Sequence, residues 1–176
     1  MRVFIAIDLP KDLRESIHNI GLGLPGKLSA VPANNIHLTL HFLGEISDEK
    51  AGEAKRIIDS VAAKRFEASV KGLSFFGGKA AKVVFANVLD GGMSAKLHHD
   101  LALELEASGF EIDRREYLPH ITIAKIKHEV PATKEFINAN SSHDFGSFTA
   151  NRISLKKSVL SGSSPAYESL YERELP

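Results

Sequence analysis

The tetrapeptide His37-Leu38-Thr39-Leu40 returns almost unchanged, about half a chain length later, as His120-Ile121-Thr122-Ile123. In both copies an imidazole and a hydroxyl stand two residues apart, with aliphatic side chains in the alternate places. On an extended strand, residues i and i+2 share a face. Each copy is therefore predicted to show one face with imidazole above hydroxyl and another of Leu or Ile turned to a core. Histidine ordinarily titrates near neutrality, so one neutral and one protonated ring can take and give a proton in a single step. Two such half-sites facing each other would bracket one phosphorus or carbonyl centre. Their hydroxyls would donate hydrogen bonds to oxygens on which charge develops. One His-x-Thr alone reads as an ordinary half-exposed strand; the repetition makes the pair a candidate site.

The surrounding elements must bring the copies together. Val3 to Ile7 reads as a buried first strand bounded by Asp8-Leu9-Pro10. Lys11 to Ile20 carries Leu13, Ile17 and Ile20 at helical spacing and stops at the glycine-rich stretch Gly21 to Gly26. The first motif lies in a strand from Ile36 to Leu43, and Ser47 is placed to cap a helix running to Ala63. Strands are predicted over Phe66 to Phe75 and Lys82 to Val88, with a turn at Gly77-Gly78. A helix over Ser94 to Ala107, ending at Gly109, follows. Pro119 introduces the second motif strand, Ile121 to Ile126, and Pro131 to Ala139 forms a short helix. Strand runs over Phe148 to Leu160 and Tyr167 to Glu172, broken at Ser161 to Pro165, complete the chain. Each motif strand thus has a helix before and after it. The pattern predicts an α+β fold over residues 1–176, one domain of two pseudo-symmetric lobes. Two mainly antiparallel sheets flank a central cleft, with helices outside.

Apolar residues make up 43% and charged residues 25% of the 176, ordinary values for a globular domain with a continuous core. Lys+Arg and Asp+Glu balance at 22 each, which argues against coating long duplex through many phosphate contacts. A local pocket for one phosphate or a short RNA end remains compatible with that balance. Cysteine is absent, so disulfides, thiolate catalysis and cysteine zinc sites are excluded. The apolar run at the N-terminus is too short for a signal-peptide core, and none later reaches membrane-spanning length. The expectation is a cytoplasmic, monomeric protein.

The segments Asn35 to Glu45 and Pro119 to Lys125 resemble the two signatures of the two-histidine phosphoesterases. The branch they are most similar to is the RNA 2′,3′-cyclic phosphodiesterases, also called 2′-5′ RNA ligases. Arg2 to Ile7 resembles that family's opening strand, and Ser158 to Ser161 followed by Pro165 to Glu168 its closing one. The resemblance implies a bilobal fold and hydrolysis of a 2′,3′-cyclic phosphate at an RNA end, tRNA fragments among the substrates, to a 2′-phosphomonoester. It implies no metal and no cofactor. His37 and His120 become the acid–base pair, with Thr39 and Thr122 holding the phosphate. Analogy favours His37 as acid and His120 as base, although pseudo-symmetry permits the reverse. Reversal of the reaction with a 5′-hydroxyl in place of water would give 2′-5′ ligation. Two other readings stand beside it: a small cyclic nucleotide such as ADP-ribose 1″,2″-cyclic phosphate as substrate, or an RNA-end binding protein without turnover.

Two positions depart from the family pattern. Lys125 stands where arginine is frequent, which retains a charge for phosphate but not a bidentate fork. His41 stands where lysine is frequent, and a regular strand would place it beside His37 and Thr39, at the pocket rim or solvated at the strand end. Elsewhere, Phe4 and Phe42 are expected in the core, while Tyr167 is open between packing and base stacking. Arg114-Arg115 and Lys156-Lys157 are expected on solvated faces. His98-His99-Asp100 does not converge on a metal from a helix. His18, His128 and His143 are expected at the surface, and Gly21 to Gly26 in a mobile loop.

Overall fold

The structure, a computed structural model, describes residues 1–161 and 164–176. The chain forms β1 (Arg2–Asp8), α1 (Lys11–Leu22), β2 (Lys27–Ala30), a 3₁₀ turn (Ala33–Asn35), β3 (His37–Glu45), α2 (Asp48–Ser60) and β4 (Phe66–Phe76). It continues through β5 (Val83–Leu89), α3 (Met93–Ala107), β6 (His120–His128), α4 (Pro131–Ala139), β7 (Asp144–Ala150), β8 (Arg152–Ser161) and β9 (Ser164–Glu174). The strands make two sheets, β3-β1-β8-β9 and β2-β6-β5-β4-β7, with every pairing antiparallel. This is the α+β arrangement of two sheets that the residue pattern predicts.

The halves correspond more closely than four shared letters suggest. Each motif strand pairs with the strand that precedes its helix, β3 with β1 and β6 with β5. The connecting helices are exchanged. α1 leaves the first sheet and packs on β2, β6 and β7 of the second, whereas α3 leaves the second sheet and packs on β3 and α2. Val3 to Ile7, buried along its length, is apolar throughout because β1 is an inner strand. Ser47 caps α2 as expected, its hydroxyl accepting from the Lys50 N–H.

Three expectations change. The Phe148 to Leu160 run is two strands, because the chain switches sheets at Asn151: β7 pairs with β4 and β8 with β1. A four-residue strand, β2, pairs with β6 where the sequence pattern assigned no element. The break expected at 161–165 lies partly outside the described residues. Helix α1 runs on through buried Gly21 to exposed Leu22, so this part of the glycine stretch is helix rather than loop.

Gly21 has a packing reason to be glycine. A Cβ there would sit 2.8 Å from Ile123 Cγ2 and 3.3 Å from the Ile123 carbonyl oxygen. The missing side chain lets α1 press against the second motif strand. Gly21→Val is expected to cost about 1–3 kcal/mol by overpacking, read as a lower urea midpoint at unchanged slope.

Candidate active site

Both motif strands contain the same irregularity at the same place. In β3, Ala6 faces Thr39 and Ile5 faces His41, leaving Leu40 as an extra residue. In β6, Phe85 faces Thr122 and Val84 faces Ala124, leaving Ile123 extra. Each bulge falls three residues after its histidine and reverses the alternation beyond it. Leu40 and His41 are consequently buried in succession, as are Ile123 and Ala124. Phe42 and Lys125 then turn to the polar face. A strict period of two would have sent His41 to the cleft and Phe42 to the core. The structure reverses both: His41 is 3% exposed and Phe42 is 64% exposed.

The strands β3 and β6 contact one another, and a cleft of about 380 Å³ opens between the sheets. It is lined by His37, Thr39 and Phe42 of β3, Thr122 and Lys125 of β6, and Arg2, Asn35 and Tyr167, among others. His120 shares its strand face with Thr122 and lies edge-on to Phe76 and Phe85, at 5.1 and 5.2 Å between ring centres. A larger hollow of about 470 Å³ lies where α2, α3 and the C-terminal residues meet. No imidazole is among its described lining residues, and its Lys96 is bound to Asp100.

The two imidazoles are held alike. His37 Nδ1 is 2.7 Å from the Asn35 carbonyl oxygen, and His120 Nδ1 is 2.6 Å from the Leu118 carbonyl oxygen. A carbonyl only accepts, so Nδ1 carries the proton in both rings and Nε2 is left for chemistry. His37 also stacks on buried Phe4 at 4.8 Å and meets Tyr167 edge-on at 5.4 Å. Burial pushes its pKa down to about 4, assisted by the charges of Lys156 and His120 and opposed by the Asn35 carbonyl and Asp8.

Residues that no motif pointed to complete the surroundings. Lys156 is paired with Asp8 at 2.8 Å, and Ser154 donates to the same carboxylate at 2.6 Å. Burial would raise the Asp8 pKa, but bonds from Lys156 and Ser154 and the Lys156 charge outweigh it, so the net shift is downward. Lys156 was expected on a solvated face and instead forms a largely buried pair near His37. An acid closing an apolar first strand was the available signal for Asp8. Arg114 and Arg115 are exposed, paired with Glu106 and Asp113, and do not line the cleft.

The remaining histidines fall into place. His41 Nε2 donates to the His98 carbonyl at 2.8 Å, and its ring stacks on that of His98. His98, His99 and Asp100 do not converge: one ring is stacked, the second residue is exposed and the third is bonded to Lys96. His18, expected at the surface, is half-buried and bonded to the Val31 carbonyl at 2.8 Å. His128 is exposed as expected, while His143 is half-buried against Phe145.

These rings set the acid side of the stability curve. Burial lowers His98, like His37, to about 4, with the charges of His41 and His99 adding to the shift and Asp113 opposing it. The unfolded chain binds protons below about 6.5 that the native state refuses until about 4. Stability is therefore full above that window and falls through it as the pH drops. Near pH 5 the slope comes chiefly from the deeply buried His37, with the more exposed His98 adding a smaller, solvent-screened part. Urea titrations between pH 7 and 4.5 check the slope, and His98→Gln should remove its smaller part.

A pair of antiparallel sheets whose motif strands each carry one imidazole and one hydroxyl beside a shared cleft defines the two-histidine phosphoesterase class. The sequence profile of the 2′-5′ RNA ligase superfamily matches residues 10–159, and the chain belongs to that superfamily. It is 30% identical over 173 residues to a protein of Archaeoglobus fulgidus named RNA 2′,3′-cyclic phosphodiesterase, a match covering 97% of this chain and 98% of the relative. Its fold matches a crystal structure from Thermus thermophilus with a TM-score of 0.85 at 25% identity, covering 99% of this chain and 98% of the other. It matches Escherichia coli LigT complexed with 3′-AMP with a TM-score of 0.81 at 25% identity, covering 99% and 97%.

Proposed function

We propose that this chain hydrolyses 2′,3′-cyclic phosphate ends of RNA to 2′-phosphomonoesters, with His37 and His120 as the acid–base pair. The observation that carries this reading is the matched pair of Nδ1–H to carbonyl bonds, which leaves both Nε2 atoms for proton transfer, with His37 in the cleft lining and His120 two residues from Thr122 of that lining. Relatives named for this activity support the substrate class. Water attacks phosphorus as the bond to O3′ breaks. His120 takes the proton of the water, and His37 delivers one to the departing O3′. Thr39 and Thr122 donate to the non-bridging oxygens, and Lys125 supplies a positive charge to the phosphate. With a 5′-hydroxyl in place of water, the same attack on the cyclic phosphate forms the P–O5′ bond as the P–O3′ bond breaks and leaves a 2′-5′ linkage.

His37 is neutral at neutral pH in the open cleft. As the acid, it must gain a proton when an anionic phosphate arrives and favours the charged ring. Calorimetry of 2′-AMP binding at pH 7, in buffers of different ionisation enthalpy, is expected to show proton uptake. Absence of uptake would reverse the two roles. The function itself is tested by product analysis of a short RNA bearing a cyclic end. A 2′-phosphate product, formed equally in excess EDTA, is expected. A 3′-phosphate, or a requirement for a divalent ion, would refute the scheme.

A further inference from the structure

The segment that delivers His120 is also tied to the strand that carries His37. Tyr117 donates its phenol hydrogen to the backbone carbonyl of Thr39, at 3.0 Å. One residue further on, the Leu118 carbonyl accepts from His120 Nδ1 at 2.6 Å. Thr39 lies two residues from His37. A single path therefore runs from one motif to the other, through the Thr39 carbonyl, the Tyr117 side chain, the Leu118 carbonyl and the His120 ring.

The tyrosine is braced from behind. Its ring stacks on His98 at 4.2 Å and 15°, and His98 stacks on His41 at 4.0 Å and 15°. His41 Nε2 donates back to the His98 carbonyl. The stack thus begins and ends on β3, since His41 belongs to that strand and the phenol bonds to it. The bulge at Leu40 turns His41 away from the cleft and into this stack. The far end of the segment is fixed by the Val88 N–H, which donates to the Pro119 carbonyl at 3.3 Å.

We infer that Tyr117 is a positioning residue whose phenol, hung on the Thr39 carbonyl and backed by the His98 ring, sets the spacing between His37 and His120. The inference deepens the proposed function and rests on it. Two proton-transfer groups on opposite sides of one phosphorus must both lie within hydrogen-bond reach of it. A displacement of about 1 Å costs up to about 100-fold in rate. A phenol joining the strands at the motifs themselves constrains that spacing more directly than packing elsewhere in the sheets.

The test compares Tyr117→Phe, which keeps the stack and loses the bond, with His98→Gln, which keeps the phenol and withdraws the ring behind it. On a short RNA with a 2′,3′-cyclic phosphate end, Tyr117→Phe should lower kcat about 10- to 100-fold, with KM within about threefold and an unchanged fold by circular dichroism. His98→Gln should lower kcat less. In the His120→Ala background Tyr117→Phe should add nothing, because a spacing with only one ring has no consequence. A kcat within twofold of the unsubstituted chain, or an equal loss in both backgrounds, would overturn the inference.

A second readout is independent of turnover. By NMR titration, removal of His120 should raise the His37 pKa, and by less in the Tyr117→Phe background than in the unsubstituted chain. Equal shifts in the two backgrounds would overturn the positioning role even in an inactive protein. The proposed function stands or falls separately, on turnover by the unsubstituted chain and its loss in His37→Ala.

Discussion

Alanine at His37 or at His120 is expected to lower turnover of an RNA 2′,3′-cyclic phosphate by about 100- to 10,000-fold each, the usual contribution of one positioned acid or base. The two losses should not add. Once one proton-transfer group is gone, the other cannot complete a concerted step, so the double variant should lie close to the worse single one. Steady-state kinetics on a cyclic-ended dinucleotide measures this, and either variant retaining full turnover would remove that ring from the mechanism. The same proteins carry an internal control. His37→Ala deletes one of the rings whose burial weakens the fold in acid, so its stability should decline less steeply below about pH 6.5 than that of the unsubstituted chain. His37→Ala also removes a ring stacked on Phe4, so its urea midpoint must be recorded beside its rate.

Thr39→Val and Thr122→Val should each lower kcat by about 100-fold, the lower end of what one preorganised donor to developing charge contributes. Valine keeps the branched shape that suits a strand and removes only the hydroxyl. The loss therefore isolates hydrogen-bond donation from packing. Both side chains line the cleft, one from each motif strand, so similar losses at the two positions are expected. The fall should be in kcat more than in KM, because a donor that strengthens with developing charge acts in the transition state. A change confined to KM would make the hydroxyls general phosphate contacts. Single-turnover rates at saturating enzyme would separate the two cases.

Much of this site was legible because its information is local. A histidine and a threonine two apart on a strand share a face whatever the rest of the chain does, and a repeated pattern of aliphatic alternates marks two strands with the same half-burial. That reasoning places His37, Thr39 and Thr122 at the cleft lining they occupy, and His120 on the face of its strand that Thr122 shares. It also finds most helices, because Ser47, Gly109 and Pro131 mark ends by local chemistry.

The errors begin where a local period meets a long-range register. His41 and Phe42 exchange places because one additional residue, Leu40, is accommodated opposite β1. Nothing in the tetrapeptide dictates that, since both registers leave aliphatic side chains to bury. Lys125 reaches the cleft by the same device, through Ile123. Lys156 and Asp8 are remote in sequence and meet only because β8 lies beside β1. Gly21 looked like a loop glycine, and only the approach of α1 to Ile123 gives its missing side chain a purpose.

Sequence alone determined which residues are the candidates for the chemistry, that their pattern occurs twice, and that sheets and helices must surround them, because residue type, spacing and capping act over a few bonds. Tertiary structure alone decided how the half-sites face each other: the exchanged helices, the paired bulges, the depressed pKa of His37 and the phenol bridge from Tyr117 to Thr39. Each of these depends on which strand edge or charge lies within a few ångströms. Such proximity is settled by burying one common core, not by any stretch of chain read on its own.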